Sequence, residues 1–115
     1  MLEKPLLGSV YCTPKIDGED MDCLVAIDPQ KTSPKIFFLP IISGEEIFED
    51  EQSSSFPYIQ IRPSPYPQYV DPSQNLEFLT LEEMQKLGFK WSYQVLHETP
   101  KRIEERVLRN HPNLI

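Results

Sequence analysis

The sequence predicts an α+β fold in which a mainly antiparallel sheet of four to five strands packs against two C-terminal helices, with a Pro-rich extended strap between them. Three observations indicate this class. Residues 1–62 alternate short apolar runs with turn residues, residues 63–75 are rich in proline, and residues 76–115 carry two helix-capping patterns. At 115 residues the chain suits one domain, 1–115, that can bury a sizeable core.

Four apolar segments in the first half predict strands. Residues 6–13 and 23–27 flank a polar loop, and the continuous run "CLVAI" at 23–27 is typical of a central strand covered on both faces. Lys35–Ile42 gives a third strand, which should reach a sheet edge or a bulge at Pro40 because proline cannot donate to the ladder. Tyr58–Arg62 gives the fourth.

The stretch "RPSPYPQYVDPSQ", residues 62–74, places four prolines in thirteen residues. Each residue before a proline is pushed towards extended conformation, so we expect a strap that is neither a helix nor a central strand. The P-x-P-x-P spacing differs from the P-x-x-P of polyproline ligands. The rival interpretation is a docking peptide, in which Tyr66 and Tyr69 contact a partner and "YVDP" is a phosphotyrosine motif.

Capping patterns mark the two helices. Thr80 and Glu83 have capping-box spacing and Gly88 suits the left-handed position after the helix. Thr99 is expected to cap the second helix, which should stop near Asn110. We expect both helices to cover the same face of the sheet.

Between the helices, apolar side chains recur at every second position. This period predicts a fifth strand with Phe89, Trp91, Tyr93 and Val95 on one face, and a helix over 91–97 is the rival.

The charge is unevenly distributed. The net charge is −7, and residues 1–80 carry 13 acids against 5 bases. An acidic surface repels nucleic acid and anionic lipid, so the expected partner is another protein with a basic surface, while solubility alone is the rival explanation.

One segment combines acidic and apolar residues. A short helical turn is predicted over "SGEEIFEDE", and its expected contact residues for a partner are Glu45, Glu46, Ile47, Phe48, Glu49 and Asp50. The apolar pair would supply affinity and the carboxylates would orient the encounter. Alternatively, the apolar pair lies in the core and the acids form a solvated rim.

The cysteines and histidines give no recognisable catalytic or metal motif. Cys12 and Cys23 are equidistant from the centre of the loop that joins the first two strands, so they could face each other, and whether they pair stays open. His97 and His111 have no partner at a known spacing, and "DGEDMD" lacks the spacing of a calcium loop. We therefore expect no metal and no cofactor, and an enzyme with a Cys/His site ranks third among the functions.

A basic stripe supports one further hypothesis. Arg102, Arg106 and Arg109 follow i, i+4, i+7 spacing and could meet the acidic half of a second copy, giving a homo-oligomeric structural module. The first prediction, however, is a small acidic interaction protein that acts as an inhibitor, adaptor or accessory subunit. A cytoplasmic location is expected, since no signal-peptide pattern and no apolar run of about 18 residues is present.

Overall fold

The computed structural model describes residues 5–16, 19–43, 58–63 and 66–114. These residues form strands and helices in the order β1 (Ser9–Ile16), β2 (Glu19–Val25), α1 (Pro29–Thr32), β3 (Ile36–Pro40), β4 (Ile42–Ser43), β5 (Ile59–Arg62), β6 (Gln68–Val70), β7 (Glu77–Leu79), α2 (Leu81–Leu87), β8 (Lys90–Gln94) and α3 (Thr99–Asn110). The predicted α+β class is confirmed.

The strands form two antiparallel sheets. The larger sheet has the order β7-β3-β2-β1-β8, and the smaller has the order β4-β6-β5. The apolar run at 23–27 contributes to β2, which is the middle strand, as its composition predicted. At Pro40 the chain leaves the large sheet and enters the small one. The N–H of Ile41 still donates to the carbonyl oxygen of Asp22 at 3.0 Å, so the nitrogen of Pro40 points away from β2 and its missing N–H costs no hydrogen bond to that strand.

The large sheet is covered on both faces, so the expectation that both helices share one face is wrong. On one face, Ile103 and Val107 of α3 pack with Val10 and Leu24, together with the small sheet. On the other face, Met84 of α2 packs in an aromatic cluster with Tyr11, Phe38 and Phe89. The two helices lie on opposite faces because β8, the edge strand that connects them in the chain, takes the chain from one face of the sheet to the other.

The start and end of α2 follow the predicted local pattern. The backbone N–H of Glu83 donates to the Thr80 hydroxyl at 3.2 Å, and the N–H of Thr80 donates to the Glu83 carboxylate at 3.0 Å. Gly88 has φ of 79° and ends the helix in the left-handed conformation.

A buried carboxylate connects α3 to the loop after β2. Glu104 is 8 % exposed, and its Oε2 accepts a hydrogen bond from the backbone N–H of Asp28 at 2.7 Å. Its Oε1 lies 2.6 Å from Nζ of Lys31, whose side chain is half exposed. Asp28 itself caps the single turn of α1 through its side chain.

The expectation that the proline-rich strap contains no central strand is also wrong. Gln68–Val70 is extended, as predicted, but it forms β6, the middle strand of the small sheet. These three residues contain no proline, so all of their N–H groups are available for pairing with β4 and β5.

Two β-bulges set which side chains face each way. In the β1–β2 pair, Ile16 lies opposite Glu19, but after the bulge Cys12 lies opposite Asp22 and Tyr11 opposite Cys23. Because neighbouring residues on a strand face opposite sides, Cys12 and Cys23 lie on opposite faces and form no disulfide with each other.

The second bulge lies in β8. Val10 pairs with Tyr93 and Tyr11 pairs with Trp91, so Ser92 is the extra residue. The fifth strand is confirmed, but the expectation of one shared apolar face is wrong. Phe89 packs with the α2 cluster, whereas Tyr93 and Val95 pack on the α3 side.

Candidate functional site

An open groove lies between the small sheet and β8. Its volume is about 720 Å³. Its walls are formed by Gln60, Ile61, Arg62 and Pro63 on one side and by Ser92, Tyr93, Gln94, Val95, Leu96, His97 and Thr99 on the other.

The groove runs along strand edges rather than across a sheet face. Side chains alternate between the two faces of a strand, so a groove over one face is lined by every second residue. Here 60–63 and 92–97 contribute consecutive residues. Among the described residues, β5 is an edge of the small sheet and β8 is an edge of the large sheet. Two strand edges therefore border one groove.

The register of β8 shows which main-chain groups point outward. The N–H of Val95 donates to the carbonyl oxygen of Gly8 at 3.0 Å, and Ser9 lies opposite Gln94. In an antiparallel ladder this pattern makes Ser9 and Gln94 a non-hydrogen-bonded pair. The N–H and C=O of Gln94 consequently point away from β1.

The side chains of the groove contrast with the acidity of the whole chain. None of the described lining residues is an Asp or a Glu, while the lining includes Arg62 and His97. The Arg62 guanidinium lies 5.6 Å from the centre of the Tyr93 ring, within the range of a cation–π interaction. The groove is thus suited to an anionic or hydrogen-bonding ligand.

Tyr93 fixes one wall of the groove. Its hydroxyl donates to Oε1 of Gln68 at 2.6 Å, which ties β8 to the middle strand of the small sheet. Burial raises the pKa of Tyr93, and the Arg62 charge opposes that shift. The hydroxyl therefore stays protonated at neutral pH and keeps its role as a donor.

His97 ends the groove in an unusual backbone conformation. Its φ is 66°, in the left-handed region that non-glycine residues seldom adopt, although His is several-fold enriched there. This conformation turns the chain from β8 into α3, which begins at Thr99. Glu98, rather than the expected Thr99, is the N-cap residue, and Thr99 lies in the groove wall.

Large apolar side chains are exposed along the same edge. Trp91 is 59 % exposed and Leu96 is 62 % exposed. Leu96 lines the groove, and Trp91 lies on β8 beside the exposed Lys90. An exposed aromatic residue on an edge strand is a feature of protein-binding surfaces.

The residues predicted as protein contacts are only partly described. Glu45, Glu46, Ile47, Phe48, Glu49 and Asp50 lie outside the described residues. Tyr66 is 74 % exposed, whereas Tyr69 is 3 % exposed and lies in β6. Tyr66 thus presents its ring to solvent, and Tyr69 contributes to packing of the small sheet.

The cysteines and histidines are dispersed over the fold. Burial, followed by the charges of Asp22, Glu77 and Cys12, raises the pKa of Cys23 to about 12. Cys23 is consequently a thiol at neutral pH and a poor nucleophile. His111 follows α3, where its Nε2 lies 3.2 Å from the carbonyl oxygen of Gln74, while His97 is in the groove.

The described part of the chain contains neither a metal-binding cluster nor a membrane-spanning helix. No group of three or more His, Cys, Asp or Glu side chains among these residues is arranged to hold a metal ion. Within the same residues, no helix is long and apolar enough to cross a membrane.

The groove itself was not predicted from the sequence. Its walls come from segments about 30 residues apart, and neither contains a recognised motif. His97, the one histidine among the described lining residues, lies three residues beyond the end of β8.

The architecture defines the chain as an α+β protein with a five-stranded antiparallel sheet, a smaller second sheet and a C-terminal helix. It is similar to a chain of a solved structure described as an endoribonuclease in complex with its cognate antitoxin from mycobacterial species. The TM-score is 0.62, the sequence identity is 18 %, and the match covers 96 % of each chain. At this identity the likeness shows the fold alone. No protein-family model and no curated protein matches the sequence.

Proposed function

We propose that this protein is a small cytoplasmic interaction module that acts as an inhibitor, adaptor or accessory subunit in an assembly with another protein. The groove between the edges of β5 and β8 carries the proposal. Edge strands offer main-chain donors and acceptors to a second chain, and this pair of edges is accompanied by the exposed side chains of Trp91 and Leu96.

The similar solved structure supports a role in a two-protein complex. Its description names an endoribonuclease bound to its antitoxin, and the match extends over nearly the whole of both chains. A fold of this kind is therefore compatible with binding to a protein partner.

A second contact surface is proposed at the acidic segment. Its five carboxylates between 45 and 51 contribute most of the net charge of −7, and Ile47 and Phe48 lie among them. We assign this segment to a basic surface on the partner, with Tyr66 as an additional exposed contact. Tyr69 supports that surface through its packing in β6.

The test is an affinity capture from host lysate with identification by mass spectrometry. Wild type is compared with a variant in which Glu45, Glu46, Glu49 and Asp50 are changed to Lys. The matched control changes four exposed acids elsewhere to Lys, namely Glu77, Glu82, Glu98 and Glu105. A partner retained by the control and lost by the segment variant supports the assignment. Equal recovery by all three proteins contradicts the segment's role, and capture of no partner contradicts the function.

A homo-oligomeric module is the second candidate, and the surface of α3 favours it. Arg102 and Arg109 are exposed and Arg106 is partly buried, so two guanidinium groups of the stripe face solvent. Light scattering at low and high salt separates the two candidates, since association through these charges should weaken as salt screens them. A monomer at both salt concentrations excludes this candidate.

RNA cleavage is the remaining rival, because Arg62 and His97 line one groove and the similar structure contains an endoribonuclease. An imidazole and a guanidinium in one groove can provide acid–base and phosphate-binding groups. The interaction proposal predicts that wild type leaves a mixed-sequence RNA intact. Cleavage that is lost in both Arg62→Gln and His97→Ala would instead establish the enzyme.

A further inference from the structure

The groove between β5 and β8 has the main-chain arrangement that an added strand requires. The Ser9–Gln94 pair leaves the N–H and C=O of Gln94 directed away from β1. Among the described residues no strand pairs with this side of β8, and the opposite wall is β5, another edge. A segment that enters here in extended conformation would pair with β8 through one set of its main-chain groups and would face the wall at β5 without pairing with it.

The side chains of the groove indicate the charge of that segment. The described lining residues contain one guanidinium, one imidazole and no carboxylate, in a chain with 18 acidic residues. The hydroxyl of Thr99 adds a polar group to the walls, whereas the amides of Gln60 and Gln94 are hydrogen-bonded within the chain. An acidic side chain placed beside Arg62 gains a charge-assisted hydrogen bond without meeting a like charge in these walls.

The apolar side chains of the groove place a second requirement on the segment that binds there. Ile61, Val95 and Leu96 lie in the groove beside the polar groups. An extended peptide directs alternate side chains to opposite sides, so it can direct carboxylates towards Arg62 and β-branched or aliphatic side chains towards Leu96. A polyanion such as RNA fits less well, because its closely spaced charges are repelled by the net charge of −7.

From these observations we propose that the groove binds an extended acidic segment of the partner protein, which pairs with β8 as an additional strand and places a carboxylate on Arg62. The inference rests on the proposed function and specifies the partner's chemistry at this surface. The segment would have acidic and β-branched residues in alternation. The acidic segment at 45–51 of the present chain would contact a separate, basic part of the same partner.

The experiment is a selection of a displayed library of random dodecapeptides on the full-length protein. Arg62→Gln is used in parallel, and Lys86→Gln serves as the control because it removes one exposed positive charge on α2, at the opposite face of the sheet. We expect wild type and Lys86→Gln to enrich peptides with more Asp and Glu than the starting library. For an enriched peptide, Arg62→Gln should raise the Kd about fivefold, since Arg62 is exposed and an ion pair of this kind is worth up to about 1 kcal/mol.

Backbone methylation of the enriched peptide tests the pairing with β8. Only alternate N–H groups of an added strand face β8, so methylation of one alternating set should weaken binding at least tenfold, while methylation of the other set changes it less than threefold. Amide exchange at Gln94 should slow when the peptide is bound. The inference is overturned if no peptide is enriched, if enriched peptides are neutral or basic, if Arg62→Gln binds as wild type does, or if both methylated sets behave alike.

The same variants separate this inference from the proposed function. A lysate partner that Arg62→Gln still captures at wild-type level leaves the interaction module in place and refutes the acidic strand. If acidic peptides bind through Arg62 but no lysate partner is captured, the acidic-strand inference stands and the proposed function is refuted.

Discussion

The buried Glu104 carboxylate offers the sharpest test of what holds α3 against the rest of the fold. We predict that Glu104→Ala lowers the free energy of unfolding by about 2–4 kcal/mol. Glu104 is 8 % exposed, and its carboxylate accepts a hydrogen bond from the N–H of Asp28 at 2.7 Å. Losing a hydrogen bond to a charged acceptor, with the partly buried donor left unpaired, costs about 1.5–3 kcal/mol.

The ion pair between Glu104 and Lys31 contributes less to the free energy of unfolding than the Asp28 hydrogen bond does, although its two atoms are only 2.6 Å apart. The Lys31 side chain is 48 % exposed, so water and salt screen the interaction and it contributes under about 1 kcal/mol. We therefore expect Lys31→Ala to be mild, and the larger effect of Glu104→Ala to come from the Asp28 N–H.

The assay is urea unfolding at pH 7 followed by circular dichroism, with thermal unfolding in parallel. Glu105→Ala is the matched control, because Glu105 is the next residue of α3 and is exposed. For a chain of this length the predicted change corresponds to a decrease in Tm of roughly 8–16 °C. If Glu104→Ala lies within about 0.5 kcal/mol of Glu105→Ala at equal m-value, the reasoning about the Asp28 hydrogen bond is refuted.

Three further predictions concern the core, one glycine and one thiol. Met84→Ala should lower the free energy of unfolding in urea by about 2–5 kcal/mol, because Met84 is fully buried. The control Leu87→Ala, on the same helix, should lower it by under about 1 kcal/mol, because Leu87 is 49 % exposed. Equal losses would contradict the described packing. Gly8→Ala should lower the Tm by at least roughly 4 °C, since Gly8 has φ of +85° and an added Cβ would lie 2.7 Å from Cγ of Pro100. An unchanged Tm would show that Gly8 and Pro100 are not in close contact. The pKa of Cys23, raised from 9.0 to about 12, means that its stabilising effect is complete below pH 9 and is lost as the pH rises towards 12. At pH 8 alkylation of Cys23 should therefore be roughly a thousandfold slower than that of a free cysteine, and a rate near the free value would contradict the burial of its sulfur.

The candidate groove shows why site prediction from this sequence was incomplete. Arg62 was predicted at the end of a strand, which is where it lies, whereas His97 lies three residues beyond the end of β8. Neither position carries information about the other, because the two segments meet only when the small sheet packs against β8. The acidic segment was conspicuous by composition, whereas a groove without acidic residues has no local signature.

Local chemistry determined the parts of this protein that depend on a few adjacent residues. Both ends of α2 could be predicted from the sequence, because the hydrogen bonds of its Thr80–Glu83 capping box and of Gly88 join residues three or four positions apart. The central position of β2 could be predicted from the apolar run at 23–27, because burial on both faces of a sheet requires a continuous apolar run. The position of Pro40 at the end of β3 agrees with its missing N–H group, which excludes it from the interior of a central strand.

Tertiary structure alone decided register, edges and faces. One bulge beyond Thr13 shifts the β1–β2 pairing by a residue and places Cys12 and Cys23 on opposite faces, although their positions around the loop are symmetric. A second bulge at Ser92 divides an apolar pattern of period two between the two faces of the sheet. Bulges and sheet order are fixed by contacts between distant strands, and a shift of one residue reverses every side chain beyond it, so no pattern within either strand could reveal them.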